Sequence, residues 1–148
     1  PLVSIGFNCL TELKMTNVIF NIVRTIEEIV SDIFSPYIFF ILSRETSEGY
    51  NSIFIINKNA LDIKKVALQI EETHVLGKCI NIDVFNKDTK KISRIDLGKL
   101  KRKCYLCNYD VEKCIKNKKH SQQEMIKYAY DKYKQYVDEC MENKNLIK

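Results

Sequence analysis

The stretch His74-Val75-Leu76-Gly77-Lys78-Cys79-Ile80-Asn81-Ile82-Asp83-Val84-Phe85 carries the chain from the end of a helical pattern into a strand, and its alternation sets the layout of everything around it. Gly77 is placed to take the positive φ that closes a helix, and the β-branched run behind it suits a pleated, half-buried strand over residues 78–85. Side chains two apart on a strand share a face. The spacing therefore predicts Cys79, Asn81 and Asp83 on one side and Ile80, Ile82 and Val84 in the core. Asn81 and Asp83 then stand side by side near a strand end, where a fold can offer oxygen ligands to a Mg²⁺ ion that bridges nucleotide phosphates. The same alternation also describes the polar outer face of an ordinary amphipathic strand, and on these residues alone both readings stand.

Working outward toward the N-terminus, Asn59, with Asp62 three residues on, opens a helix whose apolar stripe (Ile63, Ala67, Ile70) leads to His74. Ahead of it, residues 37–42 and 52–56 are aromatic and β-branched runs, read as a hairpin whose polar connection around Glu48-Gly49 is long enough to be mobile. A helix starts at Thr16 as N-cap, repeats apolar residues at helical spacing from Ile19 to Ile33, and stops at Pro36, which has no amide hydrogen to continue the ladder. Residues 2–7 alternate as a first strand. On the other side of the opening stretch, Asn86-Lys87-Asp88 is turn chemistry and Lys91 to Ile95 reads as a short returning strand. The order strand, helix, strand, strand, helix, strand predicts an α+β chain with a ferredoxin-like βαββαβ core, two helices covering one face of an antiparallel sheet. A mixed sheet of the nucleotidyltransferase type is the alternative, and it keeps Asn81 and Asp83 on one strand face.

With 148 residues, 45% of them hydrophobic and 29% charged, the expectation is one globular domain over residues 1–148. No apolar run approaches the roughly 18 residues needed to cross a bilayer, and no basic-then-apolar leader is present, so the expected address is cytoplasmic with no membrane partner. Pro1 stands where an initiator methionine is expected, which raises the expectation of a missing or processed N-terminal piece.

Residues 98–120 are Cys-rich and basic: eight lysines and arginines between Lys99 and His120 face only Asp110 and Glu112, so this segment is expected to meet something anionic. Cys104-Tyr105-Leu106-Cys107, then Cys114 and His120, supply three thiols and an imidazole, the inventory of a tetrahedral structural Zn²⁺. The later spacings match no common finger, so reduced, partly buried thiols are the other reading. Cys9, Cys79 and Cys140 lie in apolar stretches and read as buried small hydrophobes. A knuckle with basic flanks also suits a nucleic-acid binder, but only Tyr105 and Tyr109 could form the aromatic platform, and nucleic acid is not the expected partner. Ser121-Gln122-Gln123-Glu124 is a capping-box pattern that opens a C-terminal helix over residues 121–142, its tyrosines read as packing residues with wet hydroxyls.

Taken together, two segments resemble a known family. Residues 74–84 are similar to the His-Pro-Leu-Gly-Arg-x-x-Asp-x-Asp-Val signature of the citrate lyase phosphoribosyl-dephospho-CoA transferases, the holo-acyl-carrier-protein synthases of that lyase. Ile92-Ser93-Arg94, Arg102, Cys104-x-x-Cys107, Cys114 and His120 resemble the family's Leu-Ser-Arg, Arg-x-Cys-x-x-Cys and Cys-x5-His series, and residues 1–4, Lys14 and Phe20 resemble its early core. The resemblance implies a nucleotidyltransferase-type enzyme. It would move the phosphoribosyl-dephospho-CoA group from triphosphoribosyl-dephospho-CoA to a serine of the citrate lyase acyl carrier (gamma) subunit, releasing diphosphate. It implies catalytic positions at Asp83, Asn81 and His74, and substrate contacts at Gly77, Lys78, Arg94, Arg102, Lys116 and Lys14. Mg²⁺ would sit at Asp83 and Asn81, and Zn²⁺ at Cys104, Cys107, Cys114 and His120. Asn81 stands where the family has aspartate, Lys78 where it has arginine and Val75 where it has proline, and Leu10-Thr11-Glu12 replaces an early Pro-Gly-Pro. Asparagine offers oxygen without charge and lysine lacks the planar two-pronged grip on phosphate, so a weakened enzyme and a non-catalytic carrier-binding module both follow from the departures.

Overall fold

The computed structural model describes residues 1–8, 16–46 and 49–146, and in it four antiparallel strands form one sheet. They are β1 (Leu2–Phe7), β2 (Ile38–Thr46), β3 (Gly49–Ile56) and β4 (Ile80–Phe85), in the order β2-β3-β1-β4. Between β1 and β2 runs α1 (Asn17–Phe34), and between β3 and β4 runs α2 (Ala60–Thr73). Thr16 caps α1, its Oγ1 accepting from Ile19 N at 3.3 Å, and the turn holding Pro36 ends it. Alternation places Ile5, Phe54, Ile56 and Ile82 under the helices, where they meet Ile22 and Ile26 of α1 and Ile63 of α2 in the buried core. Leu76, just past α2, is also fully buried.

The face turned away from this core is ordered by strand register into three cross-strand rows. Arg44, Asn51, Gly6 and Asn81 form one, Leu42, Ile53, Ser4 and Asp83 the next, and Phe40, Ile55, Leu2 and Phe85 the third. One end of this face is polar and the other apolar, with Phe40, Leu42, Ile55 and Leu2 all exposed.

Three local expectations are corrected. Gly77 lies in a short 3₁₀ turn (Gly77–Cys79) and does not have positive φ. Its lack of a side chain is needed for another reason: a Cβ there would press on the Ile70 carbonyl oxygen and lie 2.7 Å from that of Glu71. The strand therefore begins at Ile80, and Cys79 is packed inside the turn, 1% exposed, and not beside Asn81 on the strand face. The hairpin connection is not long, because β2 continues to Thr46 and β3 starts at Gly49, whose φ of 110° suits glycine. Residues 91–95 do not form a returning strand. Asn86 Oδ1 closes the turn by accepting from Asp88 N and Lys90 N, Ile92 N donates once to Val84 O, and Ser93 and Asp96 then bond each other and bend the chain into a 3₁₀ turn (Ile95–Leu97).

After this, Asp110 caps a helix that the sequence reading missed, α3 (Val111–Lys116), and the capping box forms as expected: Glu124 N donates to Ser121 Oγ at 3.2 Å and Ser121 N to Glu124 Oε2 at 2.7 Å. The helix it opens, α4 (Gln122–Leu146), runs past residue 142 and packs against α1, with Ala129 in the core and the rings of Tyr128, Tyr133 and Tyr136 packed on it. Cys140 is half-buried, not enclosed, and Cys9 lies outside the described residues. Among the described residues no helix is long and apolar enough to cross a membrane.

Candidate functional site

β4 is an edge strand, and its outward backbone groups are all engaged near the candidate residues. Glu71 of α2, 6% exposed, accepts from Ile82 N at 2.9 Å, and Lys64, 4% exposed, donates to Ile82 O at 3.0 Å. Burial lowers the pKa of Lys64, and the carboxylates of Glu71 and Asp83 work against that shift. Arg102 reaches the same edge from the Cys-rich segment. It donates to Ile80 O at 2.9 Å and Lys78 O at 3.3 Å, and closely to Asn81 Oδ1. Its guanidinium lies 3.8 Å from Glu71, which Arg94 flanks at 3.7 Å from the other side. Burial draws the Arg102 pKa down, with Glu71 opposing it.

Asn81 and Asp83 do share the outward face of β4, as their spacing predicts. Each already faces a cation: Asn81 Oδ1 accepts from Arg102, and Asp83 Oδ2 pairs with Lys91 at 2.9 Å. Arg102 occupies one of the two acceptor positions of Asn81 Oδ1, and the donor Asn81 leaves for a ligand is its amide nitrogen. The pair thus does not make a ready cage for a divalent ion, which wants several free oxygens.

His74 is not on this face. It ends α2, its Nδ1 accepts from Leu76 N at 3.1 Å, and its ring meets Tyr136 at 5.6 Å. Burial lowers its pKa, against the pull of Glu139, so it is held neutral with the proton on Nε2. Gly77 and Lys78 lie between His74 and the strand, with Lys78 exposed.

Beyond the β4 edge opens a cleft of about 870 Å³ lined by Lys78, Arg94, Lys99, Lys101, Arg102 and Lys103, with Glu71 and Glu72 as its acidic members. Arg94 donates to Glu72 at 2.9 Å, while its Nε is buried without a hydrogen-bond partner. Lys116 is exposed on α3 and does not line the cleft, and Lys14 lies outside the described residues. Sequence reasoning missed Lys64, Glu71 and Lys91. The signal for the first two was available: they sit seven apart, beside Ile63 and Ile70 on the buried stripe of α2, where a charge needs a partner.

The four metal-type ligands come together. Cys104 and Cys114 are buried, Cys107 and His120 half-buried, and their ligand atoms all lie within 4.8 Å of one another. Cys107 and Cys114 Sγ are 3.8 Å apart, and His120 Nε2 is 3.2 Å from Cys107 Sγ. The Cys107 thiol is pulled down to about 6 by the Tyr109 backbone amide and His120, while burial and the neighbouring thiols push Cys114 up to about 12. This cluster can bind a metal ion. Cys79, pushed up to about 12 by burial, is an inert thiol by comparison.

A family model for the apo-citrate lyase phosphoribosyl-dephospho-CoA transferases, CitX, matches residues 1–136. The chain belongs to the CitX family. Among curated CitX-type relatives, Protein CitXG of Leuconostoc mesenteroides subsp. cremoris is 38% identical over 71 residues, covering 47% of this chain and 15% of that protein. A probable apo-citrate lyase phosphoribosyl-dephospho-CoA transferase of Vibrio cholerae serotype O1 is 33% identical over 64 residues, 43% of this chain and 36% of its own length. The Escherichia coli O9:H4 transferase of the same name is 27% identical over 81 residues, 55% and 44% respectively. The chain spans less than half the length of these curated CitX relatives.

Proposed function

We propose that this CitX-family chain is a transferase that moves the phosphoribosyl-dephospho-CoA group from triphosphoribosyl-dephospho-CoA to a serine of the citrate lyase acyl carrier subunit. Residues 1–148 would act as one domain with a ferredoxin-like core, a reading supported by the βαββαβ element order and the β2-β3-β1-β4 sheet. The observation that carries the functional reading is the side-by-side placement of two surfaces, a polar strand face bearing Asp83 and Asn81 and a basic cleft behind it, joined by Arg102.

Releasing diphosphate from a triphosphate means that the serine oxygen bonds to the α-phosphorus while the bond to the β-phosphate oxygen breaks. Two demands follow. The leaving diphosphate needs cations, and Lys78, Arg94, Lys99 and Lys101, which line the cleft, supply them. Lys116 and Lys14 would take part only toward the carrier or the outer phosphates. The serine needs its proton removed, and Asp83 is the carboxylate on the exposed strand face, with Asn81 Nδ2 beside it to orient the acceptor. A Mg²⁺ brought in by the diphosphate would find Asp83 as its protein ligand. His74 would serve by fixing the turn that presents Gly77 and Lys78.

The four-ligand cluster is best read as a structural Zn²⁺ site. Bonds of roughly 2.3 Å at tetrahedral angles set two sulfurs about 3.8 Å apart, which is the Cys107–Cys114 separation. Free thiols at Cys79, Cys104, Cys107 and Cys114 fit a reducing, cytoplasmic address.

The test is to incubate the protein with apo carrier subunit, triphosphoribosyl-dephospho-CoA and Mg²⁺ and weigh the carrier. The expected gain is the mass of the group, with Asp83→Asn slowing it about 100-fold or more. A carrier that binds but gains no mass identifies a non-catalytic module instead, the reading favoured by the two cations already resting on Asn81 and Asp83.

A further inference from the structure

The segment between Gly98 and Asp110 contains no helix or strand of its own, only an isolated bridge between Lys103 and Asp110. It also has little apolar anchorage: Leu100 is 84% exposed and Tyr109 63%. Yet it delivers Arg102 to Asn81 Oδ1 and to the carbonyl oxygens of Gly77, Lys78 and Ile80. The fixed point of the segment comes two residues further on at Cys104, which is 2% exposed and is the first of the four metal-type ligands. Two residues of chain span at most about 7 Å, so wherever Cys104 is held, Arg102 is confined nearby.

The knuckle is closed locally and docked. Cys104 N donates to Tyr109 O at 2.7 Å and Asn108 N to Cys104 O at 2.8 Å. The Tyr105 hydroxyl donates to Asn8 O at 3.4 Å, past the end of β1, and its ring lies 4.8 Å from that of Tyr128 on α4. Two non-glycine residues with left-handed backbone flank the ligands, Asn108 (φ 58°) just after Cys107 and Lys118 (φ 45°) two before His120. Such conformations persist where the surroundings over-determine them. Four ligands converging from the knuckle turn, from α3 and from the chain ahead of α4, with left-handed backbone beside them, are what a bound tetrahedral ion would hold together.

We propose that Zn²⁺ bound by Cys104, Cys107, Cys114 and His120 is a remote clamp on Arg102, so that metal occupancy sets both the closure of the basic cleft and the orientation of Asn81. This rests on the reading of the cluster as a Zn²⁺ site. Arg102 is then a positioning residue. Its donors are spent on the β4 edge, where it holds the Asn81 oxygen and keeps the segment from Lys99 to Lys103 lining the same cleft as Lys78 and Arg94. With the ion removed, the three thiols and the imidazole have no common partner. The segment should swing away from β4, leaving Ile80 O and Asn81 to water and widening the cleft.

The full chain, purified without chelator, is assayed for Zn²⁺ content, then for Co²⁺ exchange, whose visible spectrum reports tetrahedral thiolate ligation. Inorganic diphosphate is the binding probe, and amide hydrogen exchange is followed in peptides covering residues 78–84, 99–108 and β1. One metal per chain is expected. Chelation should weaken diphosphate binding roughly tenfold, the scale of one lost charge-assisted contact, and speed exchange in 78–84 and 99–108 while β1 stays slow. Arg102→Gln should keep the Co²⁺ spectrum but bind diphosphate weakly with or without metal, and Arg102→Lys should recover part of the metal dependence. Failure to take up Zn²⁺ or Co²⁺ removes the metal reading itself. Metal uptake with exchange confined to 99–120 and unchanged diphosphate affinity would leave the Zn²⁺ site standing and overturn the clamp. Loss of protection throughout the chain on chelation would overturn it too, since the ion would then hold the whole fold.

Discussion

Asn81 shows how a single side chain changes meaning once its neighbours are known. Read from spacing, it is a weakened metal ligand beside Asp83. In the fold its oxygen belongs to Arg102, and the nearest cation to Asp83 is Lys91. Asn81→Asp therefore places the new carboxylate against a guanidinium that is only partly exposed, where a charge-assisted bond is about twice as strong as a neutral one. Unfolding free energy should rise by about 1 kcal/mol, in chelator and in Mg²⁺ alike, as read from urea titration. A loss in chelator that Mg²⁺ restores would instead mean that two carboxylates face each other across a metal position, and Arg102 could not then be the residue that orients position 81.

The elements around the site follow from patterns of different legibility. The α1 stripe, the β3 and β4 alternation and the α4 capping box depend on contacts within a few residues, and the sequence displays them directly. The outward placement of Asn81 and Asp83 and the clustering of the three cysteines with His120 were readable for the same reason. What was not readable depends on closure between distant segments. Gly77 looked like a helix terminator because its close approach to the Ile70 and Glu71 carbonyls appears only when α2 packs on the 3₁₀ turn. Residues 91–95 looked like a strand because the Ser93–Asp96 bonds that bend them compete locally with the sheet. The arginines looked like free phosphate ligands because nothing in their order announces Glu71. That residue is the keystone of the β4 edge: it serves Ile82 N and lies against Arg94 and Arg102. Glu71→Ala should cost about 3–5 kcal/mol, because it leaves the buried Lys64, the half-buried Arg94 and Arg102 and a strand amide without their shared carboxylate. Pairing it with Lys64→Met should cost less than the two single changes summed, a deficit that a double-mutant cycle by urea unfolding would register. Simple additivity would show that the two side chains guard the edge independently.

At the scale of the whole molecule, one buried and one half-buried titratable group tie separate parts of the chain together, and both make it sensitive to acid. Glu27 of α1 is desolvated, which alone would raise its pKa, but bonds from Ser52, Tyr50 and Ser43, helped by Arg24, outweigh burial and leave it lowered. His74, at the junction of α2 and α4, is lowered by burial against the pull of Glu139. The signs run the same way. Between its lowered folded pKa and its unfolded value of about 6.5, the unfolded state binds more protons at His74, so that contribution is complete above the window and is lost as pH falls through it. Glu27 adds stability that is complete above the ordinary glutamate range and is lost as pH falls through its depressed folded value. Cys107, drawn down to about 6, loses its own contribution in a window that overlaps the histidine one, so the parent curve alone cannot assign the first step. The variants can. Urea unfolding from pH 8 to pH 3 should show His74→Gln with a shallower decline only in the upper window. Glu27→Gln should have lower stability at neutral pH, by about 1–3 kcal/mol for a charged acceptor lost from three hydroxyls, and a flatter curve only below pH 5. If His74→Gln tracks the parent through the upper window, the imidazole is not held neutral at the α2–α4 junction, and the packing of α4 against the site turn must rest on the tyrosines alone.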